Sequence, residues 1–295
     1  MSGSSPDADA SAGALNASVT VRDALDGAIT AIAAAGCETP RLDAEVLLAH
    51  VLGVGREHLI TRAHELVVAG PAVRSFQNAV RRRAVEREPV AYIVEHKGFR
   101  RLDLAVDRRA LVPRPETELL VEVGLGLGVG ARVLDLGTGS GAIALALKDE
   151  RPDLHVSGSD ISLGALGLAE LNADRVRLEI PWIHADLLDG VGEFDVIICN
   201  PPYVAESERA SLPPEIVRHE PPQALFAGPD GLSVIRELLE QLTDLHHVRL
   251  LALEVGAGQA RPVAELMHLA GFDTIHVERD LARVQRVLVA ERAPK

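Results

Sequence analysis

Hydrophobic positions recur at helical spacing through residues 18–90 and change to strand-like apolar runs beyond residue 130. Thr20, with Asp23 three residues on, can cap "VRDALDGAITAIAAAG", which ends at Gly36. Thr39-Pro40 opens "RLDAEVLLAHVLG", with proline at the first helical position and Gly53 past the end. A short "REHLITR" and a longer "PAVRSFQNAVRRRAVERE", stopped by Pro89, complete an N-terminal helical bundle. Alternation and turn-like breaks from Tyr92 to Val112 predict a β-hairpin linker. After it come the strands "ARVLDLGTG", "LHVSGSDIS", "PWIHADLL", "FDVIICN" and "LLALEVGAG". Helical stretches at "AIALALKDE", 163–173, 230–243 and 259–270 lie between them. The chain closes on a hairpin of "DTIHVERD" and "RVQRVLVAER". Such alternation implies an α/β fold with a mostly parallel sheet covered on both faces. The expected division is a disordered tail over 1–17, a helical domain over 18–90, a hairpin linker over 91–112 and an α/β domain over 113–295.

Composition narrows the class. The 295 residues are 47% hydrophobic but only 3% aromatic, so Leu, Val, Ala and Ile must build the core. Cys37 and Cys199 make neither a disulfide framework nor a zinc cluster, and Cys199 reads as a small buried hydrophobe. No secretory or transmembrane-length apolar run is present, so the expected location is cytoplasmic. Residues 18–91 carry nine Arg against nine Asp or Glu, which leaves nearly all of the net charge of −13 on the later chain. An acidic body repels a phosphate backbone and suits a basic partner. Arg81-Arg82-Arg83 reads as one solvated helix face. The eleven histidines form no ligand pattern, and His246-His247 reads as solvated loop. No metal site is expected.

Chemistry concentrates in two stretches. "VLDLGTGSGAIALAL" puts Gly137, Gly139 and Gly141, with Thr138 and Ser140 between them, at a strand-to-helix turn. Glycine permits the sharp turn and a close ligand approach, and the helix N-terminus offers free N–H groups. "GTGSGA" also fits a dinucleotide fingerprint, so a nicotinamide cofactor and S-adenosylmethionine both suit the loop. Either wants an acid at the end of the second strand, where Asp160 stands. Asp135 can orient the glycine turn or accept local backbone hydrogen bonds. Asp186-Leu187, at the end of the third strand, is placed to flank an adenine ring.

The second stretch is Asn200-Pro201-Pro202-Tyr203, ending the fourth strand. Its prolines cannot donate to a sheet ladder. A planar NH₂ acceptor is a poor nucleophile, because its lone pair is delocalised. The Asn200 side-chain carbonyl and the Pro201 backbone carbonyl can accept its two N–H hydrogens and aim the nitrogen. Positioning of this kind is worth up to roughly 7–11 kcal/mol. Tyr203 can stack on the planar group and exclude water.

"NPPY" after the fourth strand resembles the amino-methyltransferases that methylate planar NH₂ nitrogens. Together with "ALVPRPETELLVE" (110–122), "EPPQALFAGPDGL" (220–232) and the helical N-terminal segment, the chain resembles the HemK/PrmC family from about residue 20 onward. These are protein-(glutamine-N5) methyltransferases of peptide-chain release factors. The resemblance implies a Rossmann-like class I S-adenosylmethionine-dependent methyltransferase domain with a mostly parallel seven-stranded sheet. It implies that Gly137, Thr138, Gly139, Ser140 and Gly141 wrap the methionine part of the cofactor. Asp160 would bind the ribose, and Asp186 and Leu187 would lie by the adenine. Asn200, which also borders the cofactor, would with Pro201, Pro202 and Tyr203 hold the glutamine of a release factor's Gly-Gly-Gln loop. Pro113, Arg114 and Glu116 would pack near cofactor and acceptor; a proline helix start with Glu116 and Glu118 in the first turn explains the same stretch equally well. The charge distribution and the lack of a long apolar run lead to the expectation of a monomer without direct nucleic-acid or membrane contact. Two departures stand out. In "YIVEHKGF" Glu95 occupies a position where the family has glycine and Gly98 one where it has an acid before the Phe, and Arg283 replaces the glycine of a family "DLAG". The rivals are an adenine-N6 nucleic-acid methyltransferase, a nicotinamide-dependent oxidoreductase and a cofactor-binding scaffold without catalysis.

Overall fold

The computed structural model describes residues 19–61, 63–64, 66–67 and 70–293. The tail expected over 1–17 lies outside them. The chain divides into two compact units, residues 1–94 and 95–295.

The first unit is helical. Strand β1 (Val19–Thr20) leads into α1 (Val21–Ala34), followed by α2 (Pro40–Leu52) and α3 (Arg56–Thr61). Strand β2 (Leu66–Val67) pairs antiparallel with β1, a contact that helical periodicity does not reveal. Helices α4 (Pro71–Ala84) and α5 (Val90–Val94) complete the unit. The caps follow the sequence: the Thr20 hydroxyl oxygen accepts from the Asp23 N–H at 3.1 Å, and Gly53 takes a left-handed conformation after α2. Ile32, Leu47, Leu48, Leu59 and Phe76 fill the core. The arginine run is not one solvated face, since only Arg81 is exposed. Arg81 pairs with Glu86, Arg82 pairs with Glu88, and Arg83 is buried and donates to the buried Asp43 at 2.6 Å. Helix α4 thus turns three consecutive cations onto acids of its own bundle.

The second unit opens with a hairpin of β3 (His96–Phe99) and β4 (Leu102–Ala105). It is shorter than expected, because residues 90–94 are helical. Then come α6 (Glu118–Leu125), β5 (Arg132–Leu136), α7 (Ala142–Glu150), β6 (His155–Asp160), α8 (Leu163–Val176), β7 (Trp182–His184) and β8 (Val196–Cys199). After α9 (Pro214–His219) follow α10 (Ser233–Leu242), β9 (Leu250–Glu254), α11 (Ala260–Leu269), β10 (Thr274–Arg279) and β11 (Gln285–Glu291). The seven-stranded sheet runs β10-β11-β9-β8-β5-β6-β7, and β11 alone runs against the other six strands. One apolar cluster holds Leu134, Leu253, Ile235, Met267 and Phe272; another holds Val133, Ile198, Leu145, Leu120 and Phe99. Residues alternating along β5 thus feed both layers, as burial on both faces of a parallel sheet requires. Among the described residues no helix is long and apolar enough to cross a membrane.

Both departures from the family pattern fall on left-handed backbone: Glu95 has φ +63 and Arg283 has φ +65. Glycine adopts that region without strain; a side chain there costs about 1–2 kcal/mol. Replacement of Arg283 by glycine should therefore raise stability by about 0.5–1 kcal/mol, less than the full cost because glycine also loosens the unfolded chain. In the bundle, Arg83→Ala should cost roughly 3–5 kcal/mol by stranding the buried Asp43 carboxylate, whereas the exposed Arg81→Ala should cost under about 1 kcal/mol. Chemical denaturation checks all three, and equal losses at Arg81 and Arg83 would refute the buried pairing.

Candidate active site

Sheet register builds the site. Leu136 of β5 stands opposite Ser159 of β6 and Cys199 of β8, and Cys199 stands opposite Leu253 of β9. The next residue on each strand therefore joins one row at the carboxyl edge: Asp160, Gly137, Asn200 and Glu254. Open α/β sheets bind ligands at this edge. A cavity of about 280 Å³ opens there, lined by Gly137, Thr138, Gly139, Ser140, Asp160, Asp186, Leu187, Asn200, Pro201, Pro202, Pro113 and Arg114. Gly141, Glu116 and Tyr203 do not line it. Gly141, at φ +81, instead starts α7 beside Leu145, Trp182 and Ala169.

Buried polar groups hold the glycine loop. Asp135 is fully buried; its Oδ2 accepts from the Thr138 hydroxyl at 2.5 Å and the Ala144 N–H at 3.0 Å, so both alternatives for this acid hold. Its Oδ1 has no partner among the described residues, and burial raises its pKa from 3.8 to about 7. Asp160 accepts from the Gly139 N–H at 2.9 Å and the Ser162 N–H at 2.8 Å, and burial raises its pKa too. Asn172, at 0% exposure, clamps the loop from behind. Its Nδ2 donates to the carbonyls of Ser140 and Ala105, and its Oδ1 accepts the Ala105 N–H. No sequence signal marks this mid-helix asparagine, since all its partners are distant in the chain.

At the other end, the Asn200 Nδ2 donates to the Thr117 Oγ1 at 3.1 Å, and the Thr117 hydroxyl donates to the Glu254 Oε2 at 2.7 Å. The Tyr203 hydroxyl donates to Glu254 Oε1 at 3.2 Å, and the Tyr203 carbonyl accepts from the Gln259 Nε2 at 2.9 Å. Glu254 is 1% exposed, and burial raises its pKa; burial, then the Glu254 charge, raises that of Tyr203. Arg114 reaches the buried Glu220 at 2.6 Å and joins the two motifs around residues 113 and 220. For the stretch after Pro115 the helix-start alternative holds in part: a 3-10 turn over Pro115–Thr117 precedes α6, and Glu118 accepts from the Arg100 N–H. Sequence reasoning missed Thr117 and Glu254. The first lies inside the quoted "PRPETE", and the second is an acid at a strand's carboxyl end, the signal that picked out Asp160.

Residues 23–94 match the PrmC N-terminal domain, and residues 115–248 match the methyltransferase small domain. A release factor glutamine methyltransferase of Rhodospirillum rubrum is 40% identical over 91% of this chain and 84% of its own. The chain belongs to the release factor glutamine methyltransferase family. A second member, from Pseudomonas aeruginosa, is 43% identical over 86% of this chain and 93% of its own. Among solved structures, the catalytic domain of hMettl16 in complex with an RNA hairpin shares the fold at a TM-score of 0.55 and 14% identity, over 79% of this chain and 86% of that one. The chain is thus a class I methyltransferase, and the cavity fits S-adenosyl-L-methionine. A Cβ at Gly137 would stand in open space, so the backbone there leaves room for a ligand, while Asp160 offers a carboxylate to hydroxyls and Leu187 an apolar wall.

The raised pKa of Asp135 sets a pH dependence. The folded protein holds a proton that the unfolded chain releases, so this contribution is full below about pH 4 and is lost as pH rises to about 7. It is worth up to roughly 4 kcal/mol. Asp160 and Glu254 shift in the same direction. Thermal unfolding of Asp135→Asn should show a smaller loss of stability between pH 5 and pH 8 than the unsubstituted protein; parallel curves would show that Asp135 does not carry the slope.

Proposed function

We propose that this protein transfers a methyl group from S-adenosyl-L-methionine to the side-chain amide nitrogen of the glutamine in the Gly-Gly-Gln loop of peptide-chain release factors, and so modulates translation termination. The observation that carries this is the row of Gly137, Asp160 and Asn200 along one cavity, in a chain whose relatives are release factor glutamine methyltransferases.

Gly137, Thr138, Gly139, Ser140 and Gly141 form the turn that cradles the methionine part, Asp160 holds the ribose, and Asp186 and Leu187 border the adenine. The cofactor supplies a methyl group on a positively charged sulfur, a good leaving group. Asn200 Oδ1 and the Pro201 carbonyl accept the two amide hydrogens of the glutamine, which points its nitrogen along the transfer direction. Pro201 and Pro202 bring no competing N–H. Tyr203 lies off the cavity wall, so we assign it to bracing Asn200 through Glu254 in place of the stacking expected from the motif. Pro113, Arg114 and Glu116 belong to the rim, where Arg114 holds the 220 loop. Water accepts the proton of the methylated nitrogen.

The helical residues 18–90 dock the body of the release factor, since Asn200–Tyr203 cannot choose one glutamine among many. The enzyme acts as a cytoplasmic monomer, without nucleic-acid or membrane contact. The acidic later chain and an arginine run tied up in ion pairs support a protein partner over a phosphate backbone.

Incubation with methyl-labelled cofactor should label a release factor and leave unlabelled the same factor with its Gly-Gly-Gln glutamine replaced. Label on RNA or DNA alone would overturn the assignment. Asn200→Ala should lower turnover at least about 100-fold while changing cofactor affinity less than about threefold.

A further inference from the structure

Asn200 can serve an amide acceptor only if its own amide faces the right way. The two ends of that side chain are nearly equal in size and opposite in function: Oδ1 accepts and Nδ2 donates. Rotated by half a turn, Asn200 would present N–H hydrogens to an incoming NH₂ group and repel it. The neighbours decide which end faces out.

Glu254 is buried, and two hydroxyls, of Thr117 and Tyr203, converge on its two carboxylate oxygens. Both carboxylate oxygens accept there, so the single hydroxyl hydrogen of Thr117 is committed to Glu254. The Thr117 oxygen then faces Asn200 as an acceptor, and only the Nδ2 end satisfies it. Oδ1 is turned away from Thr117 and left for the acceptor. Tyr203 and Gln259 stiffen the arrangement: Tyr203 is held at its hydroxyl by Glu254 and at its carbonyl by Gln259, while Gln259 Oε1 accepts the Gly256 N–H at 2.8 Å. Gly231 lets this loop close, because a Cβ there would stand 2.3 Å from the Tyr203 carbonyl oxygen.

We propose that Glu254 and Thr117 are positioning residues that fix the polarity of the Asn200 amide, and thereby make the site selective for planar NH₂ acceptors. This rests on the amide-acceptor reading above.

The test compares four variants on a release factor, after the unsubstituted enzyme has been shown to label it; failure at that first step counts against the assigned substrate and not against the relay. Thr117→Val keeps the shape and removes the hydroxyl. Its kcat should fall about 10- to 100-fold with cofactor affinity within about threefold. Thr117→Ser restores the hydroxyl and should recover kcat to within about threefold. Glu254→Leu leaves the Thr117 hydroxyl free to donate to Asn200 Oδ1, which reverses the amide, so it should be worse than Thr117→Val. Thr117→Val should add no further loss in an Asn200→Ala background, because it acts only through Asn200.

A readout independent of turnover is the Asn200 side-chain NH₂ signal in a ¹⁵N-labelled sample, identified by its loss in Asn200→Ala. It should exchange with solvent more slowly in the unsubstituted protein than in Thr117→Val. Independent additive losses, a serine variant as poor as valine, or unchanged exchange would each overturn the relay, since a purely packing role gives those results.

Discussion

Everything at the site depends on the register of a parallel sheet. Parallel neighbours point the same way, so their carboxyl ends come to one edge, and hydrogen bonding fixes which residue of each strand stands beside which. Here the pairing of Leu136 with Ser159 and Cys199, and of Cys199 with Leu253, makes Asp160, Gly137, Asn200 and Glu254 neighbours although they span 118 positions of chain. Slipping one strand by one residue would exchange its two faces, expose apolar side chains and remove its polar residue from the row. The hydrophobic layers on both sides thus hold the chemistry in place.

The buried polar residues in and behind the row are costly unless partnered. Asp135, Asn172 and Glu254 are all at or near zero exposure, and each holds a backbone or side-chain group that faces the cavity. Their partners are satisfied within the fold, with the Asp135 Oδ1 as the exception. Buried hydrogen bonds of this kind act in a low dielectric, where they are stronger and their geometry is more tightly specified. That accounts for a site built from fixed carbonyls and N–H groups without a strong general base in the Asn200–Tyr203 stretch.

The backbone carries its own demands independently of side-chain identity. Positions 95 and 283 remain left-handed although neither is glycine, and Leu187 at the cavity wall has φ +49. In the first two cases the surrounding turn imposes the left-handed conformation on a side chain. In the third, a bulky side chain in a strained conformation contributes to the pocket, where such strain is commonly found.

The sequence by itself determined the order of the main strands and helices of the α/β unit, the helix caps at Thr20 and Gly53, the glycine turn and the polar end of the fourth strand. Each is local: periodicity, capping and turn chemistry act over a few residues. Gly137, Asp160 and Asn200 each follow or end a strand in the chain itself, and strands that run parallel bring such ends to one edge. Tertiary structure decided the rest. It left Tyr203 off the cavity lining, tied Arg81, Arg82 and Arg83 to acids with Arg83 buried, paired β1 with β2, and brought Thr117 to Asn200 from 83 residues away and Glu254 to Thr117. Those contacts depend on strand order and on three-dimensional closure, and no short-range pattern in the chain encodes either.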